Sequence, residues 1–220
     1  MKFYALVLLA ISILTFSGCY LTEDAADVNQ ERINATYCTV FNATRGYTKS
    51  ILAFKFGNTP LRLSNAMYFR NKRLYEEDDI IWGLHYARDV DGINNGTYEW
   101  TDENGHVYFN EVPVFGFELE NEPQAFKKHQ YYDLAWIGDQ IPYEAGEFSI
   151  QFDSHVDGRI YSFHSGRRLE IESDYLDHLP SGRATLTLSR NYSEPIDEGT
   201  QAGGESGVSF VREYEITITD

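Results

Sequence analysis

Regular alternation of apolar and polar side chains is the feature of this sequence that most restricts its fold. Phe148, Ile150 and Phe152 alternate with polar residues, and the runs 184–189 and 214–219 repeat the pattern. A period of two places successive side chains on opposite faces of a β-strand. Strands with one apolar and one polar face are typical of antiparallel sheets that expose one face to water.

Most of the chain after residue 35 indicates the same kind of structure. A hairpin is predicted over 97–110, because an Asn-Gly turn lies between two alternating runs. A strand is predicted over 79–88, although its alternation is imperfect. One short helical turn is predicted over 173–179. The Gly-, Ser- and Glu-rich stretch 191–207 is predicted to be a mobile surface loop.

These patterns predict an all-β protein, with about ten to twelve short strands and no long helix. Aromatic residues make up 15% of the chain, with 16 Tyr and 14 Phe, a composition that favours strands. We therefore predict an antiparallel β-sandwich of Greek-key or immunoglobulin-like type, in one or two tightly joined lobes. If there are two lobes, their boundary is predicted near 118–128. A closed barrel is the alternative architecture.

The start of the chain predicts a cleavable signal peptide over residues 1–18. Lys2 precedes an uncharged run, Phe3–Phe16, which is shorter than the roughly 18 residues that a membrane-spanning helix needs. The segment Phe16-Ser17-Gly18-Cys19 resembles a bacterial lipobox. That resemblance implies that Cys19 carries a covalent lipid such as palmitate.

The lipobox divides the chain into three parts. After the signal peptide, residues 19–34 are polar and acidic and are predicted to be a flexible tether, followed by the β-sandwich domain over 35–220. If Cys19 is lipidated, Cys38 has no disulfide partner, since these are the two cysteines of the sequence. A soluble secreted protein with a Cys19–Cys38 bridge is the alternative. Cys38 lies in a strand-like run and is predicted to be a buried, inert residue, with a reactive thiol as the alternative.

A second resemblance lies near the end of the chain. The segment Asp174-Tyr175-Leu176-Asp177-His178-Leu179-Pro180-Ser181-Gly182 precedes the Thr/Leu-rich strand Arg183–Arg190. This arrangement resembles a recurring ending of uncharacterised Bacteroidetes lipoproteins and covers residues 172–218. It implies a β-sandwich lipoprotein and brings no catalytic residues with it.

The acidic residues behind Cys19 bear on the cellular location. Glu23, Asp24 and Asp27 resemble the acidic export signal that sends many Bacteroidetes lipoproteins to the outer face of the outer membrane. A plain solvated linker is the alternative. We therefore predict a lipid-anchored protein of the bacterial outer membrane, exposed at the cell surface if the acidic stretch is that signal.

The formal net charge of −16 excludes some partners. A surface this acidic repels phosphate backbones, so nucleic acid is not a predicted partner. Anionic lipid surfaces repel it as well, which makes the lipid on Cys19 the predicted membrane attachment.

The sequence lacks the motifs of common enzymes, including a Gly-x-Ser-x-Gly elbow, a His-Glu-x-x-His zinc motif and a phosphate-binding glycine loop. No two histidines have the i, i+4 spacing of a metal site. His106 is predicted to share a solvent-facing strand surface with Tyr108 and Asn110, while Val107 and Phe109 point the other way. Glu118, Glu120 and Glu122 are predicted to form a solvated acidic edge. We therefore predict a protein that is not an enzyme and that needs no cofactor.

Two loops carry weak signals for calcium. Asp89, Asp91 and Asn94 supply oxygen ligands in one loop, and 153–158 has the Asp spacing that begins an EF-hand. Turn formation alone explains both. Three tryptophans could form a ligand platform if they faced water, although packing in the core is the favoured interpretation for all three: Trp82, Trp100 and Trp136.

Three hypotheses for function follow. The first is a lipid-anchored β-sandwich with a non-catalytic binding or scaffolding role at the cell envelope. The second is a surface glycan-binding module for polysaccharide capture, which requires exposed aromatic side chains. The third is a small envelope enzyme that acts on glycans or peptides, which requires a cleft with facing carboxylates or a His with a carboxylate.

Overall fold

A computed structural model describes residues 22–93, 95–141, 147–152, 159–162 and 167–220. In this part of the chain the protein is an all-β, predominantly antiparallel β-sandwich, so the predicted fold class is confirmed. The described residues contain two 3-10 turns, Ala25–Asp27 and Gln30–Arg32, and one short helix, α1, Ser173–Asp177, at the predicted place. The strands, in chain order, are β1 (Glu23–Asp24), β2 (Ile33–Asn42), β3 (Tyr47–Phe56), β4 (Thr59–Arg62), β5 (Tyr68–Phe69), β6 (Lys72–Arg73), β7 (Tyr75–Asp79), β8 (Gly83–Asp91), β9 (Gly96–Thr101), β10 (Val107–Val112), β11 (Phe117–Leu119), β12 (Ala125–Lys127), β13 (Tyr132–Gly138), β14 (Glu147–Phe152), β15 (Arg159–Ser162), β16 (Arg168–Ile171), β17 (Gly182–Glu194) and β18 (Gly204–Thr219).

One large sheet of eleven strands forms the centre of the molecule, in the order β1-β4-β3-β2-β18-β17-β14-β15. β8 also pairs with β3 and with β7, while β12 pairs with β18. Most neighbours are antiparallel, but β18 runs parallel to β2 from the pair Gly204–Ala35 to the pair Val211–Asn42. This parallel pair joins strands from the two ends of the described chain into a continuous sheet.

Two smaller sheets cover the large one. The four-stranded sheet β10-β9-β5-β6 lies over β2 and β3, where the Trp100 and Phe54 rings are 4.7 Å apart. The three-stranded sheet β11-β13-β16 lies over β14 and β18, where the Trp136 and Phe148 rings are 5.0 Å apart. The buried apolar side chains of both regions belong to one core cluster. A lobe boundary near 118–128 stays a prediction.

The alternating runs occupy the strands that the sequence predicted. Phe148, Ile150 and Phe152 on β14 are buried, as are Leu186 and Leu188 on β17. Ile216 and Ile218 on β18 are buried too, while Glu215 and Thr217 between them are exposed. Burial of one face of each strand provides the main free energy for the sandwich.

Tyr98 on β9 ties the four-stranded sheet to the large sheet. Its hydroxyl group donates to the Cys38 carbonyl oxygen at 2.9 Å and accepts from the Ile51 amide at 3.2 Å. Cys38 and Ile51 face each other across β2 and β3. The Thr39 hydroxyl group lies 2.9 Å away as a further partner, so this fully buried phenol is completely hydrogen-bonded.

The predicted flexible tether over 19–34 is corrected by the structure. From Glu23 the chain is part of the domain, because β1 pairs with β4 and Ala25 is fully buried. The buried Gln30 side chain donates to the carbonyl oxygen of Val28. This pairing could not be predicted, because an acidic, polar stretch with few large apolar groups resembles a linker. The first strand pairing lies four residues after Cys19.

The predicted mobile loop over 191–207 is also corrected. β17 continues to Glu194 and β18 begins at Gly204, so the connection is 195–203. The middle of this connecting loop is attached to the domain by hydrogen bonds to two different strands. Thr200 Oγ1 donates to the Ile33 carbonyl oxygen at 2.6 Å, and the Glu198 amide donates to Asn110 Oδ1 at 3.0 Å.

The predicted orientation of β10 is wrong. The side of β10 that carries Tyr108 and Asn110 faces the core, whereas Val107 and Phe109 are 44% and 45% exposed. The reason is a buried polar network. Asn110 Nδ2 donates to the Tyr37 hydroxyl oxygen at 2.8 Å, so a polar residue is needed on the inner side. His106 itself, in the turn before β10, is exposed.

Candidate functional site

The most exposed apolar surface of the described residues is a hairpin tip between β7 and β8. We define the apolar hairpin tip as Ile80–Trp82. Ile80 is 100% exposed and Ile81 is 86% exposed, while Trp82 is half-buried. Large apolar side chains fully in water at adjacent positions are typical of surfaces that contact another molecule.

The sequence predicted a continuous strand over 79–88, and the structure has a turn there instead. Asp79 Oδ1 accepts hydrogen bonds from the Ile81 amide at 2.8 Å and from the Trp82 amide at 2.7 Å. Gly83 has a φ of +64°, a conformation that favours glycine. Asp79 and Gly83 then pair across the hairpin. The imperfect alternation and the Asp-x-x-x-Gly spacing were the available signals for this turn.

A buried histidine, His85, contacts the residues at both ends of the turn. His85 is 1% exposed, and its Nδ1 lies 2.8 Å from the Gly83 carbonyl oxygen. Its Nε2 lies 3.5 Å from Glu77 Oε2 and 4.0 Å from Asp79 Oδ2. The apolar hairpin tip is therefore held in one conformation by backbone and side-chain hydrogen bonds.

We expect the turn to depend on the ionised carboxylate of Asp79. The hydrogen bonds from the Trp82 and Ile81 amides hold the pKa of Asp79 below its usual value, with a smaller contribution from His85. A lowered pKa means that the ionised side chain stabilises the fold above the unfolded-state pKa, and that this stabilisation disappears as pH falls through the folded-state pKa. NMR titration of the Ile81 and Trp82 amides should give a midpoint below about 3.9. In Asp79→Asn, which keeps the acceptor oxygen without the charge, this transition should be absent; a midpoint above 3.9 in the wild type would contradict the assignment.

A concave surface lies between β10 and the 195–203 loop. This acidic groove has a volume of about 530 Å³. Its ionisable and aromatic lining consists of Glu31, Asp102, His106, Tyr108, Asp197 and Glu198. Carboxylates dominate the lining, so the groove suits hydroxyl or amide donors and repels anions.

Much of the hydrogen-bonding capacity of the acidic groove is used by the fold. Glu198 Oε2 accepts from the Phe109 amide at 2.6 Å, and Asp197 Oδ2 accepts from the Glu111 amide at 3.4 Å. These two carboxylates thus cover the free edge of β10, which has no further strand beside it in the described sheet. Asp102 is 1% exposed and accepts from the amides of Asn104 and His106.

The three candidate tryptophans lie in separate elements. Trp100 on β9 is fully buried and Trp136 on β13 is 7% exposed. Trp82 is in the apolar hairpin tip. The structure therefore does not bring them together as a flat platform, and Trp82 is the one with substantial access to solvent.

The candidate calcium residues lie beside cations. Asp89 and Asp91 are exposed near the end of β8, and they line a shallow depression together with three basic side chains, those of Arg70, Lys72 and Arg88. Among the residues that the structure describes, no group of three His, Cys, Asp or Glu side chains has the geometry of a metal site. Asn94 and the second candidate loop, 153–158, lie outside the described residues.

Cys38 is a free, half-buried thiol on β2. Burial raises the pKa of Cys38, with a small opposing effect from Lys49. A thiol with a raised pKa is a weak nucleophile at neutral pH. Cys19 lies outside the described residues.

Several histidines lie near carboxylates, as an enzyme site would require. His106 Nδ1 is 3.4 Å from Asp102 Oδ2, and His129 Nδ1 is 3.0 Å from Asp177 Oδ2. In both pairs the same carboxylate also accepts the backbone amide of its histidine, at 2.8 Å. The Asp102–His106 contact closes the turn before β10, whereas the Asp177–His129 contact joins α1 to the segment before β13, so the two pairs lie in separate places and do not form one cleft. Glu118 and Glu120, in turn, are exposed.

No protein-family model and no curated protein matches the sequence. Among solved structures, the chain is similar to the fibronectin(III)-like modules of Clostridium thermocellum CbhA, at 10% identity and a TM-score of 0.26, covering 85% of this chain and 94% of that one. It is also similar to a 1.5-MDa bacterial ice-binding adhesin, at 9% identity and a TM-score of 0.26, covering 85% and 64%. A third similarity is to the Yersinia pseudotuberculosis adhesin InvE, at 10% identity and a TM-score of 0.23, covering 81% and 58%. These values are too low to assign a function.

No helix in the described part of the chain has the length and apolar character needed to cross a bilayer.

Proposed function

We propose that this protein is a lipid-anchored binding or scaffolding module of the bacterial outer membrane, without catalytic activity of its own. The apolar hairpin tip is the observation that carries the binding role, since Ile80 and Ile81 are held in water by a structured turn. Exposed isoleucines cost solubility, and a defined turn that presents them is explained by contact with another molecule.

Membrane attachment rests on the sequence Phe16-Ser17-Gly18-Cys19. Its resemblance to a lipobox supports lipid on Cys19, and the acidic residues Glu23, Asp24 and Asp27 support a place at the cell surface. The negative surface of the domain argues against attachment through a basic patch.

The Cys19→Ser substitution tests the anchor. We expect the wild-type mature chain to begin at Cys19 and to carry the mass of its acyl chains, and we expect Cys19→Ser to move the protein from the membrane fraction to the soluble fraction. Intact-mass spectrometry and fractionation measure both results. Cys38→Ser, at the other cysteine, should stay in the membrane fraction. A wild-type chain cleaved elsewhere and free of lipid would refute the anchor.

Protease treatment of intact cells tests the location. Loss of the domain while a periplasmic marker survives would agree with the surface assignment. Protection of the domain would place it on the inner side and make envelope proteins its partners.

The glycan-binding alternative rests on the acidic groove, because sugar hydroxyl groups can donate to its carboxylates. The placement of Trp100 and Trp136 in the core argues against an aromatic platform. Perturbation of the NMR signals of His106 and Tyr108 by an oligosaccharide would favour this alternative over the first proposal.

A further inference from the structure

The apolar hairpin tip lies at the same end of the large sheet as the start of the described chain. β3 ends at Phe56 and turns back into β4, and β8 begins at Gly83 beside that turn. A Cβ atom added to Gly83 would lie 3.7 Å from Cγ of Pro60 on β4. The next residue of β4, Leu61, pairs with Glu23.

The direction of β1 brings the preceding chain towards the same end. β1 runs parallel to β4, and β4 leads away from the β3–β4 turn. The chain therefore enters β1 at Glu23 from the end of the sheet that carries that turn and Gly83. Cys19 is four residues before Glu23, which allows at most about 14 Å of extended chain. A lipid on Cys19 would thus hold this end of the domain close to the bilayer.

We propose that the apolar hairpin tip, Ile80–Trp82, inserts into the phospholipid surface beside the Cys19 lipid and acts as a second membrane contact. This inference rests on the lipid anchor of the proposed function. The anchor confines the domain to the membrane, and the hairpin tip fixes its orientation by placing the end with β1, the β3–β4 turn and the β7–β8 turn against the bilayer.

The chemistry of the hairpin tip fits the membrane interface. Two isoleucines can leave water, and tryptophan is enriched at the boundary between lipid and water. The backbone amides of Ile81 and Trp82 are already bonded to Asp79, so insertion leaves neither of them without a partner.

The charges around the hairpin tip select the kind of lipid. β7, which leads into the tip, contains four consecutive acidic residues, Glu76 to Asp79. Arg62 forms a bidentate ion pair with Glu76, and His85 is close to Glu77 and Asp79, but a net negative charge remains. We therefore assign a zwitterionic surface, such as phosphatidylcholine or phosphatidylethanolamine, and expect anionic phosphatidylglycerol to weaken the contact.

Tryptophan quenching by brominated lipid tests the proposal. The lipidated mature protein is reconstituted into phosphatidylcholine vesicles that contain brominated acyl chains. We expect the emission of Trp82 to be quenched, and we expect Trp82→Phe to remove the quenched component, because Trp100 and Trp136 are buried in the core. In Ile80→Ser/Ile81→Ser, Trp82 should instead become accessible to aqueous iodide.

A matched reporter lies at the opposite end of the molecule. Tyr131 is 55% exposed and precedes β13, near β12 and the end of β18. In the Trp82→Phe background, a tryptophan introduced by Tyr131→Trp should remain unquenched by the brominated lipid and accessible to iodide. Equal quenching at both positions would mean that the domain has no fixed orientation and would overturn the proposal.

The lipid anchor and the membrane contact of the hairpin tip can be disproved separately. Intact mass reports whether Cys19 carries lipid, whereas quenching reports the position of Trp82. A lipidated protein whose Trp82 stays accessible to iodide on vesicles would overturn the second contact and leave the anchor intact.

The Cys19→Ser chain provides an independent measurement: its partition onto phosphatidylcholine vesicles should fall at least about tenfold with Ile80→Ser/Ile81→Ser. Protection of Trp82 that rises with protein concentration without lipid would assign the tip to a second copy of this chain and overturn the membrane assignment.

Discussion

Trp100→Ala lowers the free energy of unfolding by about 3–5 kcal/mol, the range for removing a large aromatic side chain from a core. Trp100 is fully buried, and its ring stacks on Tyr108 at 4.3 Å and meets Phe54 edge-on at 4.7 Å. Its Nε1 donates to the Tyr37 hydroxyl oxygen at 2.8 Å, so the substitution also removes a donor from a buried polar network. Urea denaturation followed by circular dichroism measures the change.

Two controls make this result specific. Trp82→Ala, in the partly exposed hairpin tip, should change stability by far less. Trp100→Phe keeps an aromatic ring but leaves the Tyr37 hydroxyl oxygen without its indole donor, so its cost should lie between those of the other two variants. A Trp100→Ala chain as stable as the wild type would show that the four-stranded sheet does not cover β2 and β3.

Phe117→Ala should have a comparable effect in the other half of the molecule, again about 3–5 kcal/mol. Phe117 on β11 contacts three aromatic rings, Phe148 at 4.9 Å, Phe210 at 5.7 Å and Trp136 at 6.4 Å. The substitution leaves a cavity where the three-stranded sheet packs on β14 and β18. Urea denaturation again gives the magnitude, with Ile137→Ala, at a residue of β13 that is 40% exposed, as the control.

The two substitutions together test whether the two halves unfold as one unit. Because β2 and β18 join the halves into one sheet, we expect a single transition in the wild type and a shift of that same transition in each variant. Two separate transitions, with Trp100→Ala affecting one and Phe117→Ala the other, would show two independent lobes.

The alternation of side chains was sufficient to predict the fold class and most of the long strands. Leu186, Leu188, Ile216 and Ile218 are buried as their period of two requires. The parallel pairing of β18 with β2 could not be predicted, because side-chain alternation sets the face of a strand and not its neighbour. The same limit explains why the two covering sheets were not assigned to particular strands.

The candidate site was harder to predict than the fold. Ile80 and Ile81 carry the same apolar signal as a core strand, and only the hydrogen bonds of Asp79 reveal that they lie in a turn. Asn110 shows the opposite case, since a polar residue on a strand suggests solvent and here completes a buried network with Tyr37. In both cases hydrogen bonds to other residues determine whether the side chain is buried or exposed. The local pattern of apolar and polar residues does not contain that information.

The pairing of β2 with β18 also has a consequence for the order in which the protein can assemble. Ala35 and Gly204 are neighbours in the sheet although 169 positions of the chain separate them, the difference between their residue numbers. A ribosome or a translocation channel releases the amino-terminal end first, so β2 emerges long before its partner. Until then β2 can pair with β3 on one side, while its other side stays open. Contacts between such distant segments form slowly. The centre of the sandwich therefore closes only after β18 has emerged and can pair with β2.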